Sequence, residues 1–305
     1  MRNLLGEPRA PNLSWSSTVP RELVHRTSVA EVLLTDVRPD RAGGFLAAAC
    51  WPRSHPTFPP DGSDRHSPLL VVETLRQLGI YLPLRWYGVP ATARMLIDDL
   101  YFALRPDREP RVDLGCTEIT CTVEVTHPRR RSDGGLAAVR LTVGYQAGGR
   151  LFARAGGGAR FLSAERYAAV RGDLMAARQP PPAPGGRPDP ALLGVARTAD
   201  VVVARRADGL AVEPADPGHP FYFDHAGDHV PGMLLLEAAR QGAAEASGGV
   251  LLRPVSGRLA AVRFTEYQPP ALVDTVTHHR TCVFRVRQGA GATAYGVLGY
   301  GRHDM

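Results

Sequence analysis

Two long apolar segments, 69–82 and 232–246, stand out in the pattern of hydrophobic and polar positions along this 305-residue chain. Apolar residues cover nearly the whole circumference of each predicted helix, which is typical of a helix buried on all sides. A short predicted strand precedes each helix, at 29–35 and at 201–205, and three segments that alternate as β-strands do follow it. The alternating segments are 94–104, 112–126 and 136–146 in the first half and 258–267, 273–286 and 292–301 in the second. The pattern predicts an α+β fold in which a mostly antiparallel sheet wraps around one central helix in each half.

The two halves repeat the same motifs in the same order, which indicates an internal duplication. A Glu-x-x-Arg-Gln motif occurs at 73–77 and again at 237–241, and a His-x-Pro motif precedes each copy. Three dipeptides also recur: Val112-Asp113 as Val273-Asp274, Thr120-Cys121 as Thr281-Cys282, and Gly144-Tyr145 as Gly299-Tyr300.

A proline-rich segment, residues 179–190, separates the halves and is predicted to be an extended linker. The predicted divisions are an N-terminal extension (1–18), a first domain (19–172), a linker (173–194) and a second domain (195–305). The glycine-rich stretch 155–160 lacks the strand–helix context of a dinucleotide site and is predicted to be a turn.

Composition narrows the function further. The apolar fraction is 44%, no run of residues is long enough for a membrane span, and the N-terminus lacks a signal-peptide pattern, so we expect a cytoplasmic protein. All 36 basic residues are arginine, which excludes Schiff-base lysine chemistry and a P-loop. The four cysteines form no C-x-x-C pair, no metal-ligand spacing occurs, and we expect neither a metal nor a cofactor. A net charge of +6 favours an acidic partner, and the dispersed arginines argue against nucleic acid.

The candidate chemistry lies inside the apolar helices. Glu73, Arg76 and Gln77 share one helix face because they are three and four residues apart, and Glu237, Arg240 and Gln241 do the same. Burying a charge is costly unless the charge is paired or used. The motif therefore predicts a functional site, with a solvent-exposed salt bridge and a structural ion pair between the halves as the alternatives.

Longer motifs carry a family resemblance. His225, Pro231, Gly232, Glu237 and Gln241 resemble the pattern of hotdog-fold acyl-carrier-protein dehydratases. Five stretches resemble the A-factor biosynthesis family, the γ-butyrolactone synthases: "VHRTSVAEVLLTD" (24–36), "WPRSHPTF" (51–58), "SPLLVVETLRQLG" (67–79), "YGVP" (87–90) and "DHAGDHVPGMLLLEAARQ" (224–241). The resemblance implies a tandem hotdog fold, in which each half is a curled antiparallel sheet around one long helix.

The resemblance also implies an activity. Members of the family move a β-ketoacyl group from an acyl carrier protein to the hydroxyl of dihydroxyacetone phosphate. Their products lead to butyrolactone, butenolide or furan signals that control antibiotic production. The chain departs from its own repeat at one point, because Leu69 follows Pro68 where Gly232 follows Pro231, so the two helices should not begin alike.

Acyl transfer to an alcohol needs a base, donors for the carbonyl oxyanion and a cation for the phosphate. Because hotdog dimers take the histidine and the acid of a site from different units, we expect Glu73 to meet His225 and Arg240 near the seam. A burial-raised pKa would suit Glu73 to base catalysis, and Arg240 would hold the phosphate or carbonyl. Gly232 would let the thioester oxygen approach the N-terminus of its helix.

The remaining candidates form a second site or support the first. A pseudo-equivalent site would combine Glu237, His55 and Arg76. Gln77, Gln241 and His229 would be supporting substrate-binding groups, with shaping of the beginning of its helix as the alternative role of His229.

Other functions fit the same scaffold. A hotdog hydratase, dehydratase or thioesterase acting on acyl thioesters is one alternative, and a non-catalytic ligand-binding regulatory module is another. A homodimer stays open, because one duplicated chain already contains both halves of a hotdog dimer.

Overall fold

The computed structural model describes residues 12–41, 43–58, 64–112, 114–172, 184–225 and 227–301. Residues 1–11 of the predicted extension and 173–183 of the predicted linker lie outside the described residues, as does Asp113 of the first repeated dipeptide.

The described part of the chain contains four α-helices and twelve strands. The helices are α1 (Leu69–Trp86), α2 (Ala164–Arg171), α3 (Pro190–Leu193) and α4 (Gly232–Ala246). The strands of the first half are β1 (Leu34–Pro39), β2 (Phe45–Pro52), β3 (Arg94–Leu104), β4 (Cys116–Arg130), β5 (Leu136–Ala147) and β6 (Arg150–Leu162). Those of the second half are β7 (Val203–Arg206), β8 (Gly209–Val212), β9 (Pro254–Ala261), β10 (Leu272–His278), β11 (Thr281–Gln288) and β12 (Gly291–Tyr300).

All of these strands form one antiparallel sheet in the order β1-β2-β4-β5-β6-β3-β9-β12-β11-β10-β8-β7. Each half contributes six neighbouring strands, and the second half repeats the order of the first in mirror sequence. The halves meet where β3 pairs with β9, with Tyr101 opposite Arg258. The sheet is therefore continuous across the duplication, and β3 and β9 lie at its centre.

One long helix packs on each half of the sheet. Helix α1 contacts β1, β3, β5 and β6, and α4 contacts β7 to β11. Thirteen residues of α1 and twelve of α4 are buried, which explains why both helices are apolar almost all round. The predicted α+β class, with one central helix and an antiparallel sheet in each half, is confirmed. No helix within the described ranges is both long and apolar enough to cross a membrane.

The strand predictions succeed where the alternation is clear and fail at an inconspicuous turn. The predicted strand 94–104 coincides with β3, and the predicted helix 232–246 coincides with α4. The single strand predicted over 273–286 is wrong, because His279 and Arg280 form a two-residue hairpin turn between β10 and β11. His279 has a φ of 49° in this turn, and the residues around it do not predict this left-handed conformation.

The glycine-rich stretch 155–160 is part of β6, so its prediction as a turn is wrong. A Cβ atom on Gly157 would lie 2.4 Å from the backbone oxygen of Asp99 on the neighbouring strand β3. Glycine is needed here because two backbones approach closely, as happens inside sheets as well as in turns. Strands β2 and β8 were not predicted either.

Part of the predicted duplication is out of register. Thr120-Cys121 lies in β4 and Thr281-Cys282 in β11, whereas β4 corresponds to β10 by its place in the sheet. Gly144-Tyr145 lies in β5 and Gly299-Tyr300 in β12, which are not equivalent strands either. The two Glu-x-x-Arg-Gln motifs do occupy equivalent places, on the central helices.

Candidate active site

The carboxylate of Glu73 lies at the centre of a buried cluster on α1, and its side chain is 0% exposed. Arg76 donates to it twice, from Nε to Oε2 and from Nη2 to Oε1, each at 2.8 Å. Gln77 donates from Nε2 to Oε1 at 2.7 Å, and Arg26 completes the set with Nη2 at 3.0 Å from Oε1. We call these four residues the first cluster.

The first cluster lies at the seam between the two halves. Arg26 donates from Nη1 to the backbone oxygen of Phe221 at 2.7 Å, and its guanidinium lies 4.4 Å from the centre of the Phe221 ring. The next residue, Thr27, donates its backbone N–H to Asp224 Oδ2 at 2.7 Å. The loop that leads to α4 is therefore fastened to the first half beside Glu73.

A second cluster repeats this arrangement on α4. Arg240 donates from Nε to Glu237 Oε2 at 2.8 Å and from Nη2 to Oε1 at 2.6 Å, and Gln241 donates to Oε1 at 2.7 Å. The Nη1 of Arg240 donates to the backbone oxygens of Leu193 and Leu252 at 2.8 and 3.0 Å. Arg240 is thus occupied on all three of its nitrogens.

The predicted meeting of Glu73 with Arg240 is wrong, and so is the predicted pairing of Glu237 with Arg76. Each arginine folds back onto the glutamate three residues before it on its own helix, which the helical spacing permits. Glu237 and Arg240 line a separate cavity of about 300 Å³ together with Arg65 and Arg253. The glutamines fix the helices to the chain before the first strand of each half: Gln77 Oε1 accepts the N–H of Leu33, and Gln241 Oε1 accepts that of Val202.

The expected rise in the pKa of Glu73 is also wrong. Burial acts to raise this pKa, but the charges of Arg26 and Arg76 and the hydrogen bonds from Arg76 and Gln77 outweigh it and lower the pKa to about 2. Glu73 is therefore ionised at neutral pH and is a weak base. What it can do is hold the guanidinium of Arg76 in one orientation.

His55, a predicted substrate-binding residue, is turned into its own loop. Its Nδ1 accepts the N–H groups of Thr57 and Phe58, and its Nε2 lies 3.4 Å from Glu31 Oε2. His219 repeats this arrangement in the second half, with Nδ1 accepting from Phe221 and Nε2 3.0 Å from Asp200. His219 was not predicted as a site residue, although the repeated His-Pro dipeptide at 55–56 and 219–220 marks it in the sequence.

Next to the first cluster lies a second histidine from each half. Burial, together with the nearby charges of Arg76, His225 and Arg94, lowers the pKa of His25 to about 4. The pKa of His225 is lowered by burial and by Arg76, with Asp224 opposing the shift. Both imidazoles are therefore neutral at pH 7 and lie in a cationic field. His25 and Arg94 were not predicted as site residues.

Arg76 and Arg240 differ in whether a guanidinium nitrogen remains available to bind a ligand. Within the described residues, Nη1 of Arg76 makes no hydrogen bond, whereas Nη1 of Arg240 donates to two carbonyls. The side chain of Arg76 is 13% exposed and lines a small apolar cavity of about 50 Å³ between α1 and the sheet. Arg76 is thus the one of the pair with a donor open to a ligand.

A larger cavity, of about 710 Å³, shares part of its lining with this small one. Met95, Ile97 and Leu100 of β3 line both cavities, and we call the combined space the apolar groove after these shared residues, although its larger part is also lined by Arg160, Arg171, Arg263 and Glu266. His229 and Gly232, the first residue of α4, line the larger cavity, and Met233 lines the smaller one together with Arg76. The apolar groove thus runs along β3 from Arg76 on the first helix to the N-terminus of the second.

The two central helices begin differently, as the Pro-Leu and Pro-Gly sequences predict. At α1, the backbone N–H groups of Leu69 and Leu70 donate to Ser67. At α4, no side chain caps the helix, and among the described residues the N–H groups of Gly232 and Met233 have no acceptor. Free N–H groups at a helix N-terminus favour a negative charge or a polarised carbonyl oxygen.

The chain matches the A-factor biosynthesis hotdog domain family over residues 10–163 and 187–294. It is 34% identical to a 2-oxo-3-(phosphooxy)propyl 3-oxoalkanoate synthase of Streptomyces virginiae, over 85% of this chain and 87% of that protein. It is 33% identical to a synthase of the same name from Streptomyces coelicolor, over 92% of this chain and 87% of that protein.

Among solved structures, the chain is similar to the 12:0-ACP thioesterase from Umbellularia californica, with a TM-score of 0.48, 10% identity and coverage of 83% of this chain and 96% of that one. The family match covers both halves, each with its six strands and central helix, and it bears out the tandem hotdog prediction. This chain belongs to the A-factor biosynthesis hotdog family.

Proposed function

We propose that the chain transfers a 3-oxoacyl group from the thioester of an acyl carrier protein to the hydroxyl of dihydroxyacetone phosphate. The support is the name of its relatives, which describes an ester with a 3-oxoalkanoate acid part and a 2-oxo-3-(phosphooxy)propyl alcohol part. That alcohol part is dihydroxyacetone phosphate acylated on its free hydroxyl. The net charge of +6 suits a carrier protein with an acidic surface, and we expect the reaction in the cytoplasm.

In this proposal the phosphate binds at the Arg76 end of the apolar groove. Arg76 offers its free Nη1, and Arg94 adds a second guanidinium near His25 and His225. A guanidinium keeps its charge at any ordinary pH, and a hydrogen bond from its free nitrogen to a phosphate oxygen is charge-assisted. Glu73 is a positioning residue that fixes Arg76 through its other two nitrogens.

The acyl chain lies in the apolar groove, whose walls on β3 and α1 carry no charge other than Arg76 and Asp99 in the smaller cavity. The thioester carbonyl faces the N-terminus of α4, where the N–H groups of Gly232 and Met233 stabilise the oxyanion. Glu237 and Arg240 line the separate cavity of about 300 Å³, and we assign them to stabilising the second half. In this arrangement Arg76 binds the phosphate, and the apolar wall of the same groove binds the acyl chain.

The observation that carries the proposal is the position of Arg76, held by a buried carboxylate and open to a ligand at the end of the apolar groove. The test is to incubate the purified protein with a 3-oxoacyl-loaded carrier protein and dihydroxyacetone phosphate and to follow products by mass spectrometry. We expect an ester that retains the phosphate. Dihydroxyacetone without phosphate is the matched control and should react far more slowly. Release of free 3-oxo acid with no ester would instead indicate a thioesterase.

A further inference from the structure

The loop before α4 contains a carboxylate–imidazole pair that the proposed function has not used. Asp228 and His229 lie 2.8 Å apart, measured from Oδ1 to Nδ1. The His229 ring packs edge-on against Phe264, with the ring centres 4.9 Å apart, and lines the larger cavity of the apolar groove. A carboxylate on Nδ1 fixes the proton there, which leaves the lone pair on Nε2.

Helix α2 of the first half holds this pair in place. Tyr167 donates its hydroxyl to Asp228 Oδ1 at 2.7 Å, and Arg171 donates from Nε to Oδ2 at 3.0 Å. Arg171 is buried and also binds Glu266 through Nη1 and Nη2, at 2.5 and 2.7 Å. Burial acts to raise the pKa of Asp228, but the hydrogen bonds from Tyr167, His229 and Arg171 lower it to about 2, so the carboxylate is ionised.

A purely structural role accounts for most of this network but not for the imidazole. Arg171 already joins the two halves, because it binds the side chain and the backbone oxygen of Asp228 and both oxygens of Glu266. His229 adds only one longer contact between the halves, 3.3 Å from its Nδ1 to the Tyr167 hydroxyl, and its Nε2 makes no hydrogen bond in the described part of the chain. Its side chain is 30% exposed, and it borders the same cavity as Gly232.

We propose that His229 is the general base of the transfer reaction and that Asp228, held by Tyr167 and Arg171, is its positioning residue. This inference rests on the proposed function. His229 Nε2 takes the hydroxyl proton while the hydroxyl oxygen forms its bond to the thioester carbonyl carbon. The oxyanion lies at the N-terminus of α4. When the intermediate collapses, the C–S bond breaks, and the proton on Nε2 passes to the departing thiolate.

Several charged groups surround His229 and set its response to pH. They are Asp228 on its own loop, Tyr167 and Arg171 on α2, Glu266 and Arg263 after β9, Arg160 on β6, and Arg94 on β3 over the Tyr167 ring. A neutral amide in place of Asp228 removes the nearest negative charge from the imidazole. The acid limb of the kcat profile should then move to lower pH, because the imidazole loses the charge that favours its protonated form.

The test measures kcat against pH for wild type, His229→Asn and Asp228→Asn, using the mass-spectrometric ester assay. His229→Asn should lower kcat by about 100-fold or more with little change in KM, and should abolish the acid limb. Asp228→Asn should keep an acid limb, displaced to lower pH. His278→Asn, an exposed histidine at the end of β10, is the matched control and should behave as wild type.

Loss of folding is checked by thermal unfolding and by a second variant, His229→Ala, whose activity added imidazole should partly restore. A folded His229→Asn protein with wild-type kcat and an intact acid limb would overturn the inference while leaving the proposed function standing. A wild-type protein that forms no ester would overturn both.

Discussion

Arg26 donates from Nη1 to the backbone oxygen of Phe221 at 2.7 Å while its Nη2 lies 3.0 Å from the carboxylate of Glu73. One guanidinium therefore links the buried acid of the first half to the loop of the second half that leads to His225. Replacing Arg26 should disturb both the charge balance of Glu73 and the seam between the halves.

We expect Arg26→Ala to lower the free energy of unfolding by roughly 3 kcal/mol, because it removes one partner of a buried ion pair. The measurement is urea denaturation followed by circular dichroism. Arg38→Ala is the control, since Arg38 pairs with Asp36 but is 46% exposed, and it should cost less than about 1 kcal/mol. Equal losses in the two variants would contradict a special role for the seam.

The two glutamates offer a direct comparison of the two clusters. Glu73→Gln releases Arg76 from its fixed orientation and should reduce ester formation by about 100-fold. Glu237→Gln changes the matching residue on α4 and should cost stability while retaining most of kcat in the folded protein. Steady-state kinetics of both variants, measured below their unfolding temperatures, test this difference in kcat. Greater loss of kcat in Glu237→Gln would assign catalysis to the second cluster.

Glu73 should also affect acid stability. Its pKa in the folded protein is lowered to about 2 from an ordinary value of 4.5, so the folded state binds this proton less readily than the unfolded state. The stabilisation, on the order of 3 kcal/mol, is present above about pH 4.5 and is lost as the pH falls toward 2. Unfolding free energies from pH 6 to pH 2 should therefore fall more steeply for wild type than for Glu73→Gln. Parallel curves would mean that the ion pairs of Glu73 contribute little.

Arg76 should matter for the phosphate in particular. Arg76→Lys keeps a positive charge, but its single nitrogen cannot bind both oxygens of Glu73 and also present a separate donor to the phosphate, so the KM for dihydroxyacetone phosphate should rise by about tenfold while the KM for the thioester changes little. Arg85→Lys, on the exposed last turn of the same helix, should have neither effect. An increase in the thioester KM instead would move Arg76 to the acyl side of the site.

The apolar groove should set the length of acyl chain that the protein accepts. Gly79 of α1 lines the smaller cavity, and a Cβ atom there would lie 3.9 Å from Leu141 Cδ1, an ordinary contact. Gly79→Ala should therefore fold well and gain up to about 1 kcal/mol of helix stability. Gly79→Leu should fill the cavity and shift the preference to shorter thioesters. Unchanged chain-length selectivity in Gly79→Leu would exclude this cavity from acyl binding.

The sequence could predict which residues of each helix share a face, because helical spacing alone decides it. It could not predict which carboxylate each arginine would bind. Arg76 and Arg240 are long enough to reach their own helix or a neighbouring segment, and tertiary packing decides between the two. The direction of the pKa shift of Glu73 was predicted wrongly for the same reason, because Arg26, the second arginine that pairs with Glu73, is 47 positions away in the chain.

His25 and Arg94 were missed because neither belongs to the repeated Glu-x-x-Arg-Gln or His-x-Pro motifs, and only the folded chain brings them to the first cluster. His229 was noticed through the repeated His-x-Pro motif, but its partner Tyr167 comes from α2, which has no counterpart in the described residues of the second half. The asymmetric parts of a duplicated protein are thus the parts that comparing its two halves cannot reveal.

The two units belong to one chain, and the hydrogen bonds between β3 and β9 also join them into one shared sheet. In an assembly of two identical chains, any substitution would appear at both symmetry-related positions. Here Leu69 can close one helix end while Gly232 opens the other, because each position can change independently of its counterpart. Gene fusion of this kind allows a symmetric scaffold to recognise two chemically different substrates at its two ends.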